Sequence, residues 1–395
     1  MRTLVRNELP IFASFFFSAL GNGGNNIARP LFSASFGVSF FFIALVSITG
    51  PIANLFGAPL AGILSDRMGR RPVIMSGLFI RAISSFLEMF AQSYEQFIAL
   101  EFMGSIGLAI WITGANIVVA DVSGENNRGR AVALRTSSQK LGNLIGPLIA
   151  GPMGAIWGLR SIFLLNALGK MIALAIYFMM IRESRPASAE AESRSRPLLP
   201  KRSELKAFTT VPVMAVLFAV IIIQLIAGGG SFEALFPKHV QDNAGMDTIA
   251  IGYMLFATGL ATFLVALPNG VFVDKFGRKI SMLPGMALLA VGCVMLSGAN
   301  DFWSVLIGVV VLGLGSGICL GASQVIAMDL APEATRGQFL GVWQFFMSAG
   351  GIFVPLIVGV LGTMLGTGGA FVVIAVLVVI AMPIYGIFGP EPKRE

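Results

Sequence analysis

Seven ionisable side chains lie inside long apolar stretches of this 395-residue chain, where burying a charge is costly. They are the bases Arg29, Arg81, Lys140 and Lys170 and the acids Glu88, Glu101 and Glu233. A buried carboxyl group is suited to carrying a proton, because burial favours its neutral form, and a buried base is suited to binding an anion. All four bases lie in the first half, and this surplus favours an anionic or zwitterionic ligand over a purely cationic one.

One helical face in the first apolar stretch carries several polar residues. In SALGNGGNNIARP, Asn22, Asn26 and Arg29 follow each other at i, i+4 and i+7, and Asn25 lies beside them. We expect this face to line a central cavity. The alternative is that the asparagines join helices by hydrogen bonds while Arg29 extends outward. The glycines do not form a nucleotide-binding fingerprint, because no strand–helix pattern surrounds them.

The three acids are the predicted proton-coupling residues. Glu101, roughly two turns inside the fourth apolar stretch, either carries protons or neutralises a nearby arginine. Arg81 and Glu88 are seven residues apart on one face, which fits an internal ion pair or the lining of a cavity. Glu233 either pairs with Lys238 or lines an exit. The other predicted cavity residues are polar groups within apolar stretches: Asn116, Lys140, Gln224, Tyr253, Gln324 and Gln344.

Helices that cross a membrane are needed to position these side chains. Hydrophobic residues make up 56% of the chain and charged residues 12%, whereas soluble proteins have about 25% charged residues. The 47 glycines suit close helix packing in lipid. The apolar runs predict an all-α integral membrane fold with twelve spans: 8–33, 38–64, 72–92, 95–121, 131–156, 159–182, 210–236, 249–273, 280–299, 302–328, 337–362 and 367–389.

Basic residues are concentrated on one side of the predicted membrane. If both termini share a side, the loops on that side contain 21 of the 27 Lys and Arg residues, and the opposite loops contain only Arg160 and Lys238. By the positive-inside rule, the basic side with both termini is cytoplasmic, and we expect the plasma (inner) membrane. The net charge of +7 is therefore explained by topology, and no nucleic-acid partner is expected.

A charged cluster in GILSDRMGRRP, between the second and third spans, recurs in GVFVDKFGRKI at an offset of 208 residues. The same offset relates other positions, which predicts two structural repeats. These are six-helix bundles at 1–182 and 208–395, joined by a cytoplasmic linker at 183–207 that is rich in Pro, Ser and charge. The matching pairs include Gly62 and Gly270, Asp66 and Asp274, Gly69 and Gly277, Arg70 and Arg278, Asp121 and Asp329, Arg128 and Arg336, and Gly151 and Gly359.

The cluster Gly62-x3-Asp66-Arg67-x-Gly69-Arg70-Arg71 resembles the signature loop of the major facilitator superfamily, and the resemblance extends over essentially the whole chain. The family implies a conformational latch for outward-facing states; a plain topology anchor is the alternative. Physically, Asp66 can accept hydrogen bonds from the N-terminus of another helix, and the arginines can pair with Asp121 or with lipid headgroups. The predicted latch residues are Gly62, Asp66, Arg67, Gly69, Arg70, Arg71, Asp121, Arg128, Asp274, Arg278, Asp329 and Arg336.

The fifth span contains a glycine-rich segment, Gly142-x3-Gly146-Pro147-x2-Ala150-Gly151, which resembles the antiporter motif of drug–proton exchangers. Ala150 replaces the first of the motif's final glycines. The family implies a seal against leak, and ordinary packing of small residues is the alternative. The family usually has an arginine linked to proton transfer twenty residues before Asp121. This chain has Glu101 there, so that role is not carried over.

The residues and the resemblance together predict a secondary active transporter that works by alternating access around a midplane cavity. We expect proton-coupled efflux of an amphipathic compound or drug by a monomer, with the substrate, protons and the lipid bilayer as partners. The alternatives are uptake or exchange of an organic anion or metabolite, lysolipid flipping on the same fold, and a membrane receptor. We expect no enzyme activity, cofactor or metal site, because one histidine and two cysteines offer no such pattern.

Overall fold

The computed structural model describes residues 2–122, 124–180, 210–227, 230–330 and 336–389, and these residues form helices joined by short turns. Apolar stretches become helices because a helix satisfies its own backbone hydrogen bonds, as the interior of a membrane requires. The helices are α1 (Arg2–Ser35), α2 (Phe40–Met68), α3 (Arg70–Glu88), α4 (Tyr94–Val122), α5 (Gly124–Trp157), α6 (Arg160–Met180), α7 (Val211–Ala227), α8 (Gly230–Ala244), α9 (Thr248–Phe276), α10 (Arg278–Ser297), α11 (Phe302–Leu330) and α12 (Arg336–Phe388).

These helices match the predicted spans with two local differences. The predicted span 210–236 corresponds to α7 and α8, which lie on either side of residues 228–229. The last two predicted spans are the two arms of α12, which breaks at Gly366 (φ 73°, ψ 169°). Among the described residues, seven helical segments are long and apolar enough to cross a membrane. The predicted all-α membrane fold is confirmed.

The chain divides into two compact units. Unit 1 consists of Met1–Val38, Thr49–Arg196 and Asp247–Tyr253, and unit 2 of Ser39–Ile48, Pro197–Met246 and Met254–Glu395. In unit 1, α1 packs against α5 and α6, and α3 packs against α4 and α6. In unit 2, α10 packs against α11 and α12, and α12 packs against α7. The predicted linker falls on residues outside the described ranges, and the domain limits stay a prediction.

The 208-residue repeat is visible in the backbone of the turns. Among the residues that the structure describes, six glycines have a left-handed φ, a conformation that side chains with a Cβ rarely adopt. They form three pairs at the repeat offset: Gly37 (72°) and Gly245 (60°), Gly69 (90°) and Gly277 (98°), and Gly158 (82°) and Gly366 (73°).

The start of α4 and the start of α11 are also equivalent. Ser93 Oγ accepts a hydrogen bond from the Gln96 amide (3.3 Å). At the equivalent place, Asp301 Oδ1 accepts from the amides of Trp303 (3.0 Å) and Ser304 (3.2 Å). The hydrogen bonds with Ser304, more than the one with Trp303, hold the pKa of Asp301 below its usual value. Each repeat therefore caps the same helix with a different side chain.

A side-chain contact joins equivalent helices in both units. Arg71, in the first turn of α3, donates to the backbone oxygen of Phe178 near the end of α6. Lys279, in the first turn of α10, donates to the backbone oxygen of Gly386 near the end of α12 (2.9 Å). Both donors and both acceptors are related by the offset of 208. One basic residue of each charged cluster thus connects helices inside its own unit.

Close packing of α3 on α4 recurs as packing of α10 on α11. A Cβ added at Gly107 would lie 2.7 Å from the carbonyl oxygen of Gly77, and one added at Gly315 would lie 2.8 Å from that of Gly285. Gly77 and Gly285, like Gly107 and Gly315, are equivalent positions of the repeat. The same helix pair is therefore built twice, which allows the side chains of the two pairs to be compared position by position.

Candidate functional site: a buried charge network in unit 1

Four ionisable side chains from α1, α3 and α4 form one network inside unit 1. Arg29 Nη2 lies 2.9 Å from Glu101 Oε1, and Arg81 Nη2 lies 3.2 Å from Glu101 Oε2. Arg81 Nη1 also lies 3.4 Å from Glu88 Oε1. Glu101 therefore lies between two guanidinium groups, and Arg81 lies between two carboxylates.

The network is almost fully shielded from solvent. The side chains of Glu88 and Glu101 are 0% exposed and that of Arg81 is 1% exposed, whereas Arg29 is 22% exposed. Arg29 is thus the member that a dissolved ligand can contact. Removing charges from water costs about as much as their pairing returns, so this network calls for an explanation other than stability.

The local sequence makes room for the network. Gly104 on α4 lies against Arg81, and a Cβ there would collide with the guanidinium group and lie 2.8 Å from Ser84 Oγ. Ser105, one turn after Glu101, donates to Glu101 Oε1 at 3.4 Å. Thr49 Oγ1 from α2 lies 3.3 Å from Ser105 Oγ. These hydroxyl groups extend the polar region around Glu101 toward α2.

A second polar contact joins α6 to α1. Lys170 Nζ lies 2.7 Å from the backbone oxygen of Ser18, 2.6 Å from Ser18 Oγ and 3.0 Å from Asn22 Oδ1. It also lies 5.5 Å from the centroid of the Trp111 ring. Asn25, which is fully buried, comes between Asn22 and Arg29 on α1. Neither amide atom of Asn25 has a hydrogen-bond partner among the residues that the structure describes.

The second repeat has apolar residues at the equivalent positions of the buried charges. These residues are fully buried, as are the charges that they replace. The equivalent helices of unit 2 therefore pack with aliphatic side chains at these positions. The equivalents of Arg81, Glu88, Glu101 and Lys170 are Leu289, Leu296, Val309 and Val378.

The structure brings together Arg29, Arg81, Glu88 and Glu101, and it connects Asn22 to Lys170. Asn26 is half-buried, and Glu233 is half-buried in α8. Lys238, an expected partner of Glu233, forms an ion pair with Asp242 (2.6 Å). The remaining predicted cavity residues with described side chains are exposed, and they are Asn116, Lys140, Tyr253 and Gln344. The side chains of Gln224 and Gln324 lie outside the described part of the chain.

The predicted latch is described only in part. Gly69 forms the left-handed turn before α3, Arg67 is exposed, and Arg70 is buried. Gly62 is half-buried, and Arg71 makes the contact with Phe178 given above. The remaining latch side chains lie outside the described part of the chain, so the latch stays a prediction. They are Asp66, Asp121, Arg128, Asp274, Arg278, Asp329 and Arg336.

The glycine-rich segment of α5 packs closely against α1 and against the first residues of α9, which belong to unit 1. A Cβ at Gly142 or Gly146 would meet the backbone of α1 near Phe16 and Leu20. A Cβ at Gly151 would lie 2.7 Å from the carbonyl oxygen of Thr248 at the start of α9. The Thr248 hydroxyl in turn donates to the Gly151 oxygen at 2.9 Å. The segment permits tight packing, and its role as a seal stays a prediction.

Lys170 was predicted only as one of four buried bases, and Ser18 was not among the predicted site residues. Ser18 precedes Asn22 by one helical turn on the same face of α1, and Lys170 is one of only four bases within the spans. Residue type and spacing were therefore enough to find both. The contact between Glu101 and Arg81 joins two helices, and no spacing along the chain predicts it.

Comparison with known proteins identifies the family. The family model of the Major Facilitator Superfamily matches residues 11–265 and 227–395. The multidrug resistance protein MdtG of Enterobacter lignolyticus (strain SCF1) is 24% identical over 379 residues, which are 95% of this chain and 85% of that protein. The quinolone resistance protein NorA of Staphylococcus aureus (strain COL) is 23% identical over 355 residues, 89% and 88% of the two chains. A crystal structure of a D-xylose-proton symporter has a TM-score of 0.78 at 18% identity and covers 98% of each chain.

The fold, the buried charges and these similarities define a multi-pass integral membrane transporter, not an enzyme. The chain belongs to the Major Facilitator Superfamily. It moves a small organic molecule across the membrane by secondary active transport. The predicted family, fold class and transporter function are confirmed.

Proposed function

We propose that this transporter exports an amphipathic organic compound in exchange for protons, and that Glu101 binds the coupling proton. One observation carries the proposal: a fully buried carboxylate lies between Arg29 and Arg81 at a position where the second repeat has Val309. Protonation of Glu101 raises the net charge of the network by one unit. The names of MdtG and NorA, which refer to multidrug and quinolone resistance, support an exporter.

Arg29 links protonation of Glu101 to the binding of the ligand. With all four groups ionised, the two cations and two anions of the network cancel. When Glu101 binds a proton, the network becomes cationic, and Arg29 loses its carboxylate partner among the described residues, while Arg81 keeps Glu88. The added positive charge repels a cationic group in the cavity. Proton binding therefore drives release of a compound with a basic group, which is the requirement for exchange.

The test is proton flux in liposomes that contain the full-length protein and an internal pH dye. A panel of amphipathic drugs, organic anions and lysolipids is added, and one class of basic amphipathic compounds is expected to trigger proton movement. Glu101→Gln is expected to lower pH-driven transport by about a hundredfold while leaving exchange of labelled for unlabelled compound intact. Glu95→Gln, an exposed acid in the first turn of the same helix, is the matched control. An unchanged pH response of Glu101→Gln would contradict the proposal.

A second candidate, transport of an organic anion, is favoured by the surplus of bases. Unit 1 contains the bases Arg29, Arg81 and Lys170, one more than the two acids Glu88 and Glu101. In this case protonation of Glu101 releases Arg29 to bind the anion, so proton and anion bind together and travel in the same direction. The liposome assay separates the two candidates by the direction of proton movement relative to the compound.

We also propose that the protein works as a monomer in the plasma (inner) membrane, with both termini in the cytoplasm. The distribution of Lys and Arg residues between the two sets of loops supports this orientation. The bundles 1–182 and 208–395, joined by the linker 183–207, remain the proposed domains. Protease accessibility of the linker in sealed inside-out vesicles tests the orientation.

A further inference from the structure

We propose that Lys170 is a second proton-binding group, and that it exchanges a proton with Glu101 along one face of α1. The inference rests on the proposed proton coupling and adds a residue to it. Lys170 is fully buried, and its equivalent in the second repeat is the fully buried Val378. Helix packing alone is therefore satisfied by an aliphatic side chain at this position.

The neighbours of Lys170 can serve both protonation states of the amine. An ammonium group has three donors, and three acceptors lie within 3.0 Å of Nζ: the Ser18 carbonyl, the Ser18 hydroxyl and the Asn22 amide oxygen. A neutral amine has two donors and one lone pair. It can donate to the Ser18 carbonyl and to Asn22 while the Ser18 hydroxyl turns to donate to it. The proton can therefore leave or return without any buried polar group losing its partner.

The charged groups around α6 couple Lys170 to Glu101. α1 and α3, which carry Arg29 and Arg81, both pack against α6, and Glu101 contacts both arginines. The two arginines therefore repel an ammonium group on Lys170, and the Glu101 carboxylate attracts it. Glu88 adds a negative charge beside Arg81. When Glu101 takes a proton, it no longer attracts the Lys170 ammonium group, whereas Arg29 and Arg81 still repel that group. The two sites are thus linked, and one proton alternates between them.

Other neighbours of Lys170 are aromatic or cationic. Lys170 lies over Trp111, whose ring is 5.0 Å from that of Phe15. Arg135 on α5 lies 4.7 Å from the centroid of Phe15, on the same aromatic pair, and Tyr177 on α6 is buried in this cluster. None of these groups supplies a carboxylate. We assign Glu101 as the proton acceptor because it contacts Arg29 on α1, the helix that also carries Ser18 and Asn22.

Asn25 provides the midpoint of the route. Ser18, Asn22, Asn25 and Arg29 follow at i, i+4, i+7 and i+11 on one face of α1, with Lys170 against the first two and Glu101 against the last. Asn25 is fully buried, and both atoms of its amide lack a partner among the described residues. Such a group is commonly satisfied by buried water, which relays a proton well.

The proposed step is a balanced proton transfer. The Lys170 ammonium and the Glu101 carboxylate become a neutral amine and a carboxylic acid. An N–H bond breaks with its electron pair left on Nζ, and an O–H bond forms on Glu101. Water bound beside Asn25 accepts this proton and donates another toward Glu101, so the water molecule is regenerated. This transfer leaves the net charge of unit 1 unchanged, so it places no additional net charge in the low-dielectric interior.

The experiment uses the full-length protein in liposomes with an internal pH dye and the compound class identified by the panel. Lys170→Arg keeps the positive charge but cannot release a proton at ordinary pH. We expect it to lower compound-triggered proton flux by about tenfold or more, with exchange of labelled for unlabelled compound within about twofold of the wild type. Lys238→Arg, which makes the same change in the exposed pair with Asp242, is the matched control.

Ser18→Ala is the second variant and is a smaller change if Lys170→Arg does not fold. It removes the hydroxyl group that hydrogen-bonds to Lys170 in both its ammonium and its neutral amine form. We expect proton flux to fall roughly fivefold, with compound exchange retained. Normal proton flux in whichever of these variants folds would overturn the inference, and Lys170 would then be an anchor between α6 and α1. A wild type that moves no protons with any compound would instead overturn the proposed function itself.

Discussion

The two arginines of the network differ in burial at the residue scale, and we expect them to differ in role. Arg81 is 1% exposed and contacts both Glu88 and Glu101, whereas Arg29 is 22% exposed and, of the carboxylates that the structure describes, contacts Glu101 alone. Arg81→Gln leaves two buried carboxylates beside a neutral group, a change that costs about 3–5 kcal/mol for a buried pair. Arg29→Gln costs less, because Glu101 keeps Arg81 and Ser105.

The measurement is the Tm of each variant in detergent together with its selectivity in the liposome assay. Arg81→Gln is expected to have the lower Tm, and Arg29→Gln is expected to change the preference between anionic and cationic compounds. Equal losses of Tm with unchanged selectivity would show that Arg29 has only a structural role.

At the scale of helices, the glycines of α5 determine how closely α1 approaches. A Cβ at Gly146 would collide with the carbonyl oxygen of Leu20 and lie 2.9 Å from the Cα of Gly23. We expect Gly146→Ala to destabilise the protein by about 1–3 kcal/mol, because overpacking shifts the backbone. The readout is the Tm and the yield of monodisperse protein.

Gly50 in α2 offers a matched control for this prediction, since a Cβ there would have no atom of another described helix within 4 Å. Gly50→Ala is expected to leave the Tm unchanged or to raise it slightly, because alanine is the better helix former by about 1 kcal/mol. A similar loss in both variants would mean that helix propensity, and not contact with α1, determines the effect.

The repeat makes a stronger test possible at the scale of the whole molecule. The triple variant Arg81→Leu, Glu88→Leu, Glu101→Val gives unit 1 the residues that unit 2 has at the equivalent positions. Buried ion networks replaced by aliphatic side chains of similar volume often gain stability. Arg29, which this variant leaves without Glu101, is 22% exposed and stays in contact with water, so we expect a Tm close to that of the wild type and complete loss of transport.

Two further variants serve as comparisons for the triple variant. Glu101→Val alone leaves Arg81 and Arg29 with one carboxylate, and its Tm is expected to be lower than that of the triple variant. Leu289→Arg introduces one unpaired charge at the equivalent place in unit 2 and is expected to prevent folding. A triple variant that does not fold would show that the network is structural after all.

Much of the fold was predictable because its determinants are local. Runs of apolar residues fix which segments become helices, and glycines such as Gly69 and Gly277 fix the turns, so both follow from residue type and order. The break between the two arms of α12 is another turn fixed by a glycine, Gly366. Pairing along one helix was also accessible, since Arg81 and Glu88 lie on one face of α3.

The sequence by itself determined the membrane class, the family, the two repeats and the identity of the buried charges, because hydropathy, spacing and a constant offset are properties of the chain. Only the tertiary structure decided which charges meet. Glu101 reaches Arg29 and Arg81 from other helices, and Lys170 finds Ser18 and Asn22 on α1. Those contacts depend on the rotation and distance of packed helices, which the small residues at their interfaces set and which no single segment encodes.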